Sequence, residues 1–328
     1  MRIALDAMGT DRAPLSEIEG AVEALRRAGS ECNIILVGDE EIISAELAKH
    51  SEYPLDRLSV VHAPDRIVPG EPPAQAVRRK PRSSIVVGVK LQKEGRADAF
   101  VSAGSTGAVM AASLLFLRPL PGVDRPAIGT VLPTSGQPTV LLDAGANVDC
   151  KPLHLLQFAQ LGRIYAQDLL GVANPRVGLL NIGEEPEKGD ELSVETHRLL
   201  SNADLNFVGN VEGHGIISGE CDVLVCDGFA GNIILKFFES VAGFIMSLFR
   251  REMEAQHVES LDLQGILKSL DYTEYGGAPL LGVDGVTVIT HGAATPKAIT
   301  GAIRVAAQAI RSSMVSHMTA ALAKTDER

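Results

Sequence analysis

Short apolar runs rich in β-branched residues alternate with helical stretches almost from end to end of this chain, the signature of a parallel sheet assembled from βαβ units. Strands are predicted over 3–5, 33–37, 58–62, 99–102, 140–142, 177–180, 206–208, 223–225 and 286–289. Helices are predicted over 15–27, 40–49, 85–94, 106–117, 153–170, 191–201, 233–254 and 296–322. The last is the clearest by period: Ala298, Ile299, Ala302, Ile303, Ala306, Ile310 and Met314 share one face, which suits core or dimer packing. Gly, Ala, Val, Leu and Ile dominate and Trp is absent, as expected where helices cover both faces of a sheet. The expected class is α/β, a mostly parallel sheet with helices on both faces. By length, 328 residues suit one large domain or two lobes sharing a sheet. No low-complexity linker or repeat divides the chain, so 1–328 is expected to form a single domain.

The formal charge of −11 argues against general nucleic-acid binding, which needs a positive field to neutralise phosphates. An anionic partner has to meet a local basic patch. Arg78, Arg79, Lys80 and Arg82 form the patch that stands out, either as a solvated face or as a dock for an acidic partner or phosphate. The chain opens on a strand rather than a secretory signal, and Cys32, Cys150, Cys221 and Cys226 lack CxxC spacing. They are expected to be reduced, core-packed thiols of a cytoplasmic protein, with no metal. The longest apolar run, 233–249, contains Lys236 and Glu239 and falls short of the ~20 residues of a membrane span. It is expected to be a buried or subunit-interface helix.

Chemistry is expected in the loops after the strands. Between the predicted strand 223–225 and the helix from Ile233, residues 227–231 read as a turn with two glycines. That turn would aim Asp227, Asn232 and free backbone N–H groups outside a strand end, where open α/β sheets hold anionic ligands. The loop over 6–14 lacks GxGxxG spacing, which weakens a dinucleotide-dependent reading. The loop over 102–108 runs into an apolar helix. Gly104 and Gly107 permit close backbone approach there, while Ser105 and Thr106 either cap the helix or cradle a phosphate. The loop over 143–149 carries Asn147, and His291 and Gly292 end the last strand. Lys188 sits among acidic residues, which suits an electrostatic clamp better than a general base, though a flexible surface lysine would look the same.

Together and in order, eight segments closely resemble the motifs of the phosphate acyltransferase family of bacterial fatty acid and phospholipid synthesis. They are DAMGTDRAP at Asp6, AVRRKPRSS at Ala76, SAGSTGA at Ser102, DRPAIGTVLP at Asp124, LLDAGANVDCKP at Leu141, GLLNIGEEPEKG at Gly178, VCDGFAGNIILK at Val225 and YGGAPLLG at Tyr275. The resemblance covers nearly the whole chain. It implies an α/β/α Rossmann-like fold, similar to isocitrate and isopropylmalate dehydrogenases and to phosphotransacetylases. It further implies a homodimer, with a helical segment near 233–271 at the interface.

The activity implied is transfer of a long-chain fatty acyl group from acyl carrier protein to inorganic phosphate, without a cofactor. A membrane acyltransferase would pass the acyl phosphate on to glycerol 3-phosphate. Phosphate is already an anionic nucleophile, so no Ser-His-Asp or Cys-His apparatus is required, and none is evident. By resemblance, Lys188 neutralises phosphate or oxyanion charge and Asn232 hydrogen-bonds the acyl oxygen. Asp6, Gly9, Gly104, Ser105, Thr106, Gly107, Asn147, Asp227 and His291 are the binding candidates, with Asp227 organising its turn rather than acting as a base. Arg78, Arg79, Lys80 and Arg82 become the dock for the acidic carrier protein.

The chain departs from the family pattern at three positions. Many members have glycine at Thr10, asparagine at Ser105 and serine at Ala293. A threonine at 10 would resist a positive φ if the loop required one. Some relatives also carry an apolar helical hairpin before the YGG motif; here 250–272 looks shorter and is rich in acidic residues. The expected location is cytoplasmic, with optional peripheral contact at the inner face of the membrane. The rival readings are a phosphotransacetylase-like enzyme using acyl-CoA and an inactive scaffold of lipid synthesis.

Overall fold

The structure, a computed structural model, describes residues 1–27, 31–50, 55–256 and 276–326. Two compact units form from interleaved stretches of chain. Met1–Ile128, Gln167–Gly171 and Tyr275–Arg328 make the first; Gly129–Ala166 and Val172–Glu274 make the second.

The first unit holds a seven-stranded sheet in the order Leu58–His62, Asn33–Gly38, Arg2–Asp6, Ala99–Ser102, Val286–Ile289, Ala278–Leu281, Ala127–Ile128. The strands are parallel except Ala278–Leu281, which runs antiparallel to both neighbours. The central strands are apolar on both faces because helices cover both. Leu15–Arg27 and Pro296–Arg311 pack on each other, while Pro73–Arg79, Ser84–Lys93 and Thr106–Phe116 form a separate layer. Close approach in the first layer depends on Gly20, where a Cβ would come within 2.6 Å of the Ile299 side chain. Thr300 seals the contact by donating its hydroxyl to the Gly20 carbonyl at 3.0 Å. The long C-terminal apolar face is thus core.

The second unit holds a five-stranded sheet in the order Thr130–Leu132, Thr139–Leu142, Val223–Val225, Val177–Leu180, Phe207–Val211, parallel after its first pair. Leu132, Leu141, Val211, Ile216, Cys221, Leu224 and Cys226 form a core against which Ala230, Ile234, Leu235 and Phe238 pack. All four cysteines are free thiols. Burial pushes Cys221 up to about 12, in keeping with a packing role.

Three expectations change. The predicted helix over 296–322 is two helices, Pro296–Arg311 and Met314–Asp326, separated where Ser313 adopts φ 57°. The turn at 227–231 is not a turn: the helix starts at Gly228 and runs Gly228–Gln256. That helix is also not buried within the protomer. Gly228–Phe249 is 22 residues long with mean hydropathy 1.5, enough by length and composition to cross a membrane, and only 6% of its most apolar stretch is buried. Residues 257–271 of the proposed interface segment lie outside the described residues.

Candidate active site

In the first unit, Asp6 ends its strand fully buried. Its Oδ2 accepts from Ser102 Oγ at 2.7 Å and its Oδ1 from the Met8 N–H at 3.1 Å. Burial raises its carboxyl above the ordinary range, against those hydrogen bonds. The same Ser102 oxygen accepts from the Gly104 N–H at 3.0 Å, so two of the predicted loops share one anchor. Gly9 lies against them: a Cβ there would come within 2.7 Å of the Gly104 nitrogen, so only glycine fits. The Asp11 N–H donates to the Gly292 carbonyl at 2.8 Å, which brings the His291 segment to the same strand ends. His291 is exposed, and its Nδ1 accepts from the Ala293 N–H at 3.1 Å.

Ser105 caps the helix Thr106–Phe116 by accepting from the Ala108 N–H at 3.4 Å. Thr106 and Gly107 form its first turn, whose N–H groups lack intrahelical acceptors and can meet an anion. Thr10 is not strained, because among the described non-glycine residues only Arg118 and Ser313 have positive φ.

In the second unit, Asp143 organises the loop that follows its strand. Its carboxylate accepts from the N–H groups of Gly145, Ala146 and Asn147 and from Asn147 Nδ2 at 2.7–3.2 Å. Asn147 is therefore turned inward, and its carbonyl accepts from the Gly228 N–H at 2.7 Å. Asp227 caps the following helix, accepting from Phe229 N–H at 2.8 Å and Ala230 N–H at 3.0 Å. Such a cap is worth about 1 kcal/mol. It is the reason the helix starts five residues before the predicted Ile233.

Gly228 and Gly231 belong to that first helical turn. A Cβ on Gly228 would come within 2.6 Å of the Asn147 carbonyl oxygen, and one on Gly231 would overlap the Asp143 carbonyl oxygen. One turn on, Asn232 is exposed, and its side chain lies 3.3–3.5 Å from where a Gly145 Cβ would sit. Gly145 has φ 135°, so both conformation and space reserve that position for glycine.

Lys188 is exposed, on a loop pinned at two points. Asn181 Nδ2 donates to the Lys188 carbonyl at 2.9 Å, and Asn210 Nδ2 donates to the Glu185 carbonyl at 2.8 Å. Asn210 Oδ1 in turn contacts His197 Nδ1 at 3.0 Å. Among the described residues no group of three or more His, Cys, Asp or Glu could hold a metal ion.

The chain matches the profile of the fatty acid synthesis protein family over residues 1–317. Proteins called phosphate acyltransferase are about half identical to it across nearly their whole length. That of Desulforudis audaxviator is 51% identical over 322 residues, 96% of this chain and 94% of its own. That of Desulfitobacterium hafniense strain DCB-2 is 50% identical over 326 residues, 97% of this chain and 96% of its own. The chain belongs to the phosphate acyltransferase family. It is an acyltransferase. Its fold is shared with the EutD phosphotransacetylase from Staphylococcus aureus, at TM-score 0.63 and 16% identity over 94% of each chain. A phosphotransacetylase from Streptococcus pyogenes superposes at TM-score 0.61 with 17% identity, over 95% of this chain and 94% of that one.

In this phosphate acyltransferase family member the basic cluster divides. Arg78, Arg79 and Arg82 are exposed. Lys80 is engaged: its Nζ pairs with Glu71 at 2.7 Å and donates to the Arg66 carbonyl at 2.8 Å, so it leaves the proposed dock. Arg66 was not a sequence candidate. It donates through Nη2 to the carbonyls of Thr10 at 2.9 Å and Gly9 at 3.4 Å, and so braces the first loop. It stands alone between prolines with no spacing to mark it. Asn181 and Asn210 were likewise missed as supports of Lys188, although Asn181 lies inside a quoted motif.

Proposed function

We propose that this acyltransferase moves a long-chain fatty acyl group from acyl carrier protein to inorganic phosphate. A phosphate oxygen attacks the thioester carbonyl carbon, and the tetrahedral oxyanion collapses with cleavage of the C–S bond. Acyl phosphate forms, and the thiolate stays with the carrier. Lys188 neutralises charge on phosphate or oxyanion, and Asn232 donates to the acyl oxygen. Gly9, Gly104, Ser105, Thr106 and Gly107 bind phosphate, with Asp6 holding their loops and His291 beside them. The observation that carries the reading is an exposed Asn232 amide set at a helix start by Asp227 and two obligatory glycines. A donor fixed in advance costs no reorganisation in the transition state and is worth about 3 kcal/mol, a hundredfold or more in rate.

Three further parts belong to the proposal. Arg78, Arg79 and Arg82 dock the acidic carrier. A second copy covers the exposed side of Gly228–Gln256, where Phe237 is 69% and Phe244 62% exposed. The enzyme works in the cytoplasm with optional contact at the membrane, where an acyltransferase acting on glycerol 3-phosphate consumes the product.

The test is acyl phosphate formation from phosphate with palmitoyl-acyl carrier protein or palmitoyl-CoA, for the wild type and for Lys188→Ala and Asn232→Ala. Product from the carrier protein, with turnover falling about a hundredfold in each folded variant, supports the reading. Product from CoA alone overturns the choice of donor. Product from neither overturns the reaction, and near-normal turnover in a variant removes that residue from it.

A further inference from the structure

A cavity of about 580 Å³ in the second unit opens beside the Lys188 loop and the start of the helix that carries Asn232. Leu155, Leu179, Leu192, Ile216, Ala230 and Ile234 supply its apolar wall. Among the described residues no Lys, Arg or His lines it. Three of its polar side chains serve their own backbone instead of the cavity. Asp190 accepts from the Ser193 N–H at 2.8 Å, and Asp227 accepts from Phe229 and Ala230. Asn181 donates to the Lys188 carbonyl and accepts from the Ile182 N–H at 2.8 Å. An anionic occupant would meet two aspartates and no cation. A polar one would find the Asn181 amide already engaged and would be left with the Ser193 hydroxyl and the outer carboxylate oxygens. What the cavity offers is mainly hydrocarbon surface, in a volume typical of ligand sites.

We propose that this cavity holds the hydrocarbon chain of the acyl donor, with the thioester at its mouth toward Lys188 and Asn232. The proposal rests on the acyl-transfer reading above. It assigns chain-length selection to Leu192, Ile216 and Ile234, none of which touches the reacting atoms. Each additional methylene that enters the cavity raises specificity about fourfold, the equivalent of about 0.8 kcal/mol. The gain ends when the cavity is full.

The chain has no tryptophan, so Leu192→Trp places a single fluorophore in a half-buried part of the wall. Palmitate titrated into this variant is expected to give a saturable blue shift, with octanoate binding at least a hundredfold more weakly. The indole also takes up space, so the ratio of kcat/KM for hexadecanoyl over octanoyl donor is expected to fall at least tenfold from the wild-type ratio. Ile234→Trp serves as the second reporter should Leu192→Trp not fold. Emission unmoved by palmitate overturns the proposal. So does saturable binding with an unchanged chain-length ratio, which would make this a fatty-acid site apart from the donor. Failure of the underlying reading looks different: the wild type then forms no acyl phosphate from any donor, while the fluorescence arm still reports whether the cavity takes a chain.

Discussion

Thr10 donates twice to Glu17, through its backbone N–H to Oε1 at 2.6 Å and through its hydroxyl to Oε2 at 2.9 Å. Both residues are fully buried, so this pair holds the first loop to its following helix without help from water. A glycine at position 10 would keep only the first bond. The threonine therefore has a structural role in this loop.

Burial raises the Glu17 carboxyl from 4.5 to about 7, outweighing the Thr10 hydrogen bonds that favour its charge. The folded state then holds the proton more tightly than the unfolded state. The contribution of Glu17 to stability is greatest below pH 4.5, falls as pH rises toward 7, and is level above that, a change of roughly 3 kcal/mol. Glu17→Gln keeps an acceptor for the Thr10 N–H and cannot ionise. It is expected to gain stability relative to wild type as pH rises from 5 to 8, measured by urea unfolding at both. An unchanged difference between the two proteins would refute the shift.

Gly231→Ala is expected to cost about 1–3 kcal/mol or more, because its methyl would overlap the Asp143 carbonyl oxygen inside a packed contact. It should also reduce turnover by displacing Asn232. Gly243→Ala lies on the same helix with nothing within 4 Å of the new methyl, and is expected to be neutral or stabilising by up to ~1 kcal/mol. Urea midpoints of the two variants check the contrast.

Asn210→Ala releases the Glu185 carbonyl and with it one end of the Lys188 loop. The lost hydrogen bond is worth about 1 kcal/mol, so folding should survive. The expected signature is a kcat drop of about tenfold with a smaller change in KM for phosphate, since loop position matters most in the transition state. Steady-state kinetics with the urea midpoint in parallel check this; equal losses in stability and rate would make Asn210 merely structural.

Reversing Arg78, Arg79 and Arg82 to Glu should raise KM for the carrier protein, with the wild-type advantage shrinking as salt rises. Lys80→Glu should act through stability instead, because it breaks the pair with Glu71 and the bond to the Arg66 carbonyl. KM at low and high salt, beside thermal unfolding, separates the two classes.

Adjacent residues were enough to locate most elements, since hydrophobic period and caps are written locally. Leu58–His62, Ala99–Ser102, Val177–Leu180, Val223–Val225 and Val286–Ile289 form where their apolar runs predict. The motifs were equally plain in the chain and led to the family, with Lys188 and Asn232 among the residues they single out. The strands Ala127–Ile128, Thr130–Leu132 and Ala278–Leu281 were missed, and two of these contain only two or three residues. A run that short carries too few positions for a period to emerge.

Long-range packing decided the rest. That the strands divide into seven and five rests on pairings such as Arg2–Asp6 with Ala99–Ser102, set by residues almost a hundred positions apart. Gly228 and Gly231, which read locally as turn residues, have to be glycine because Asp143 and Asn147, more than eighty residues earlier, leave no room for a Cβ. Packing across 56 residues puts Arg66 beneath the first loop, while the chain's path over 66–80 takes Lys80 out of the basic cluster. Local sequence encodes which segments are helix or strand, because that preference depends on near neighbours. Which face is covered, which cation is engaged and which apolar wall stays open depend on what the fold brings alongside.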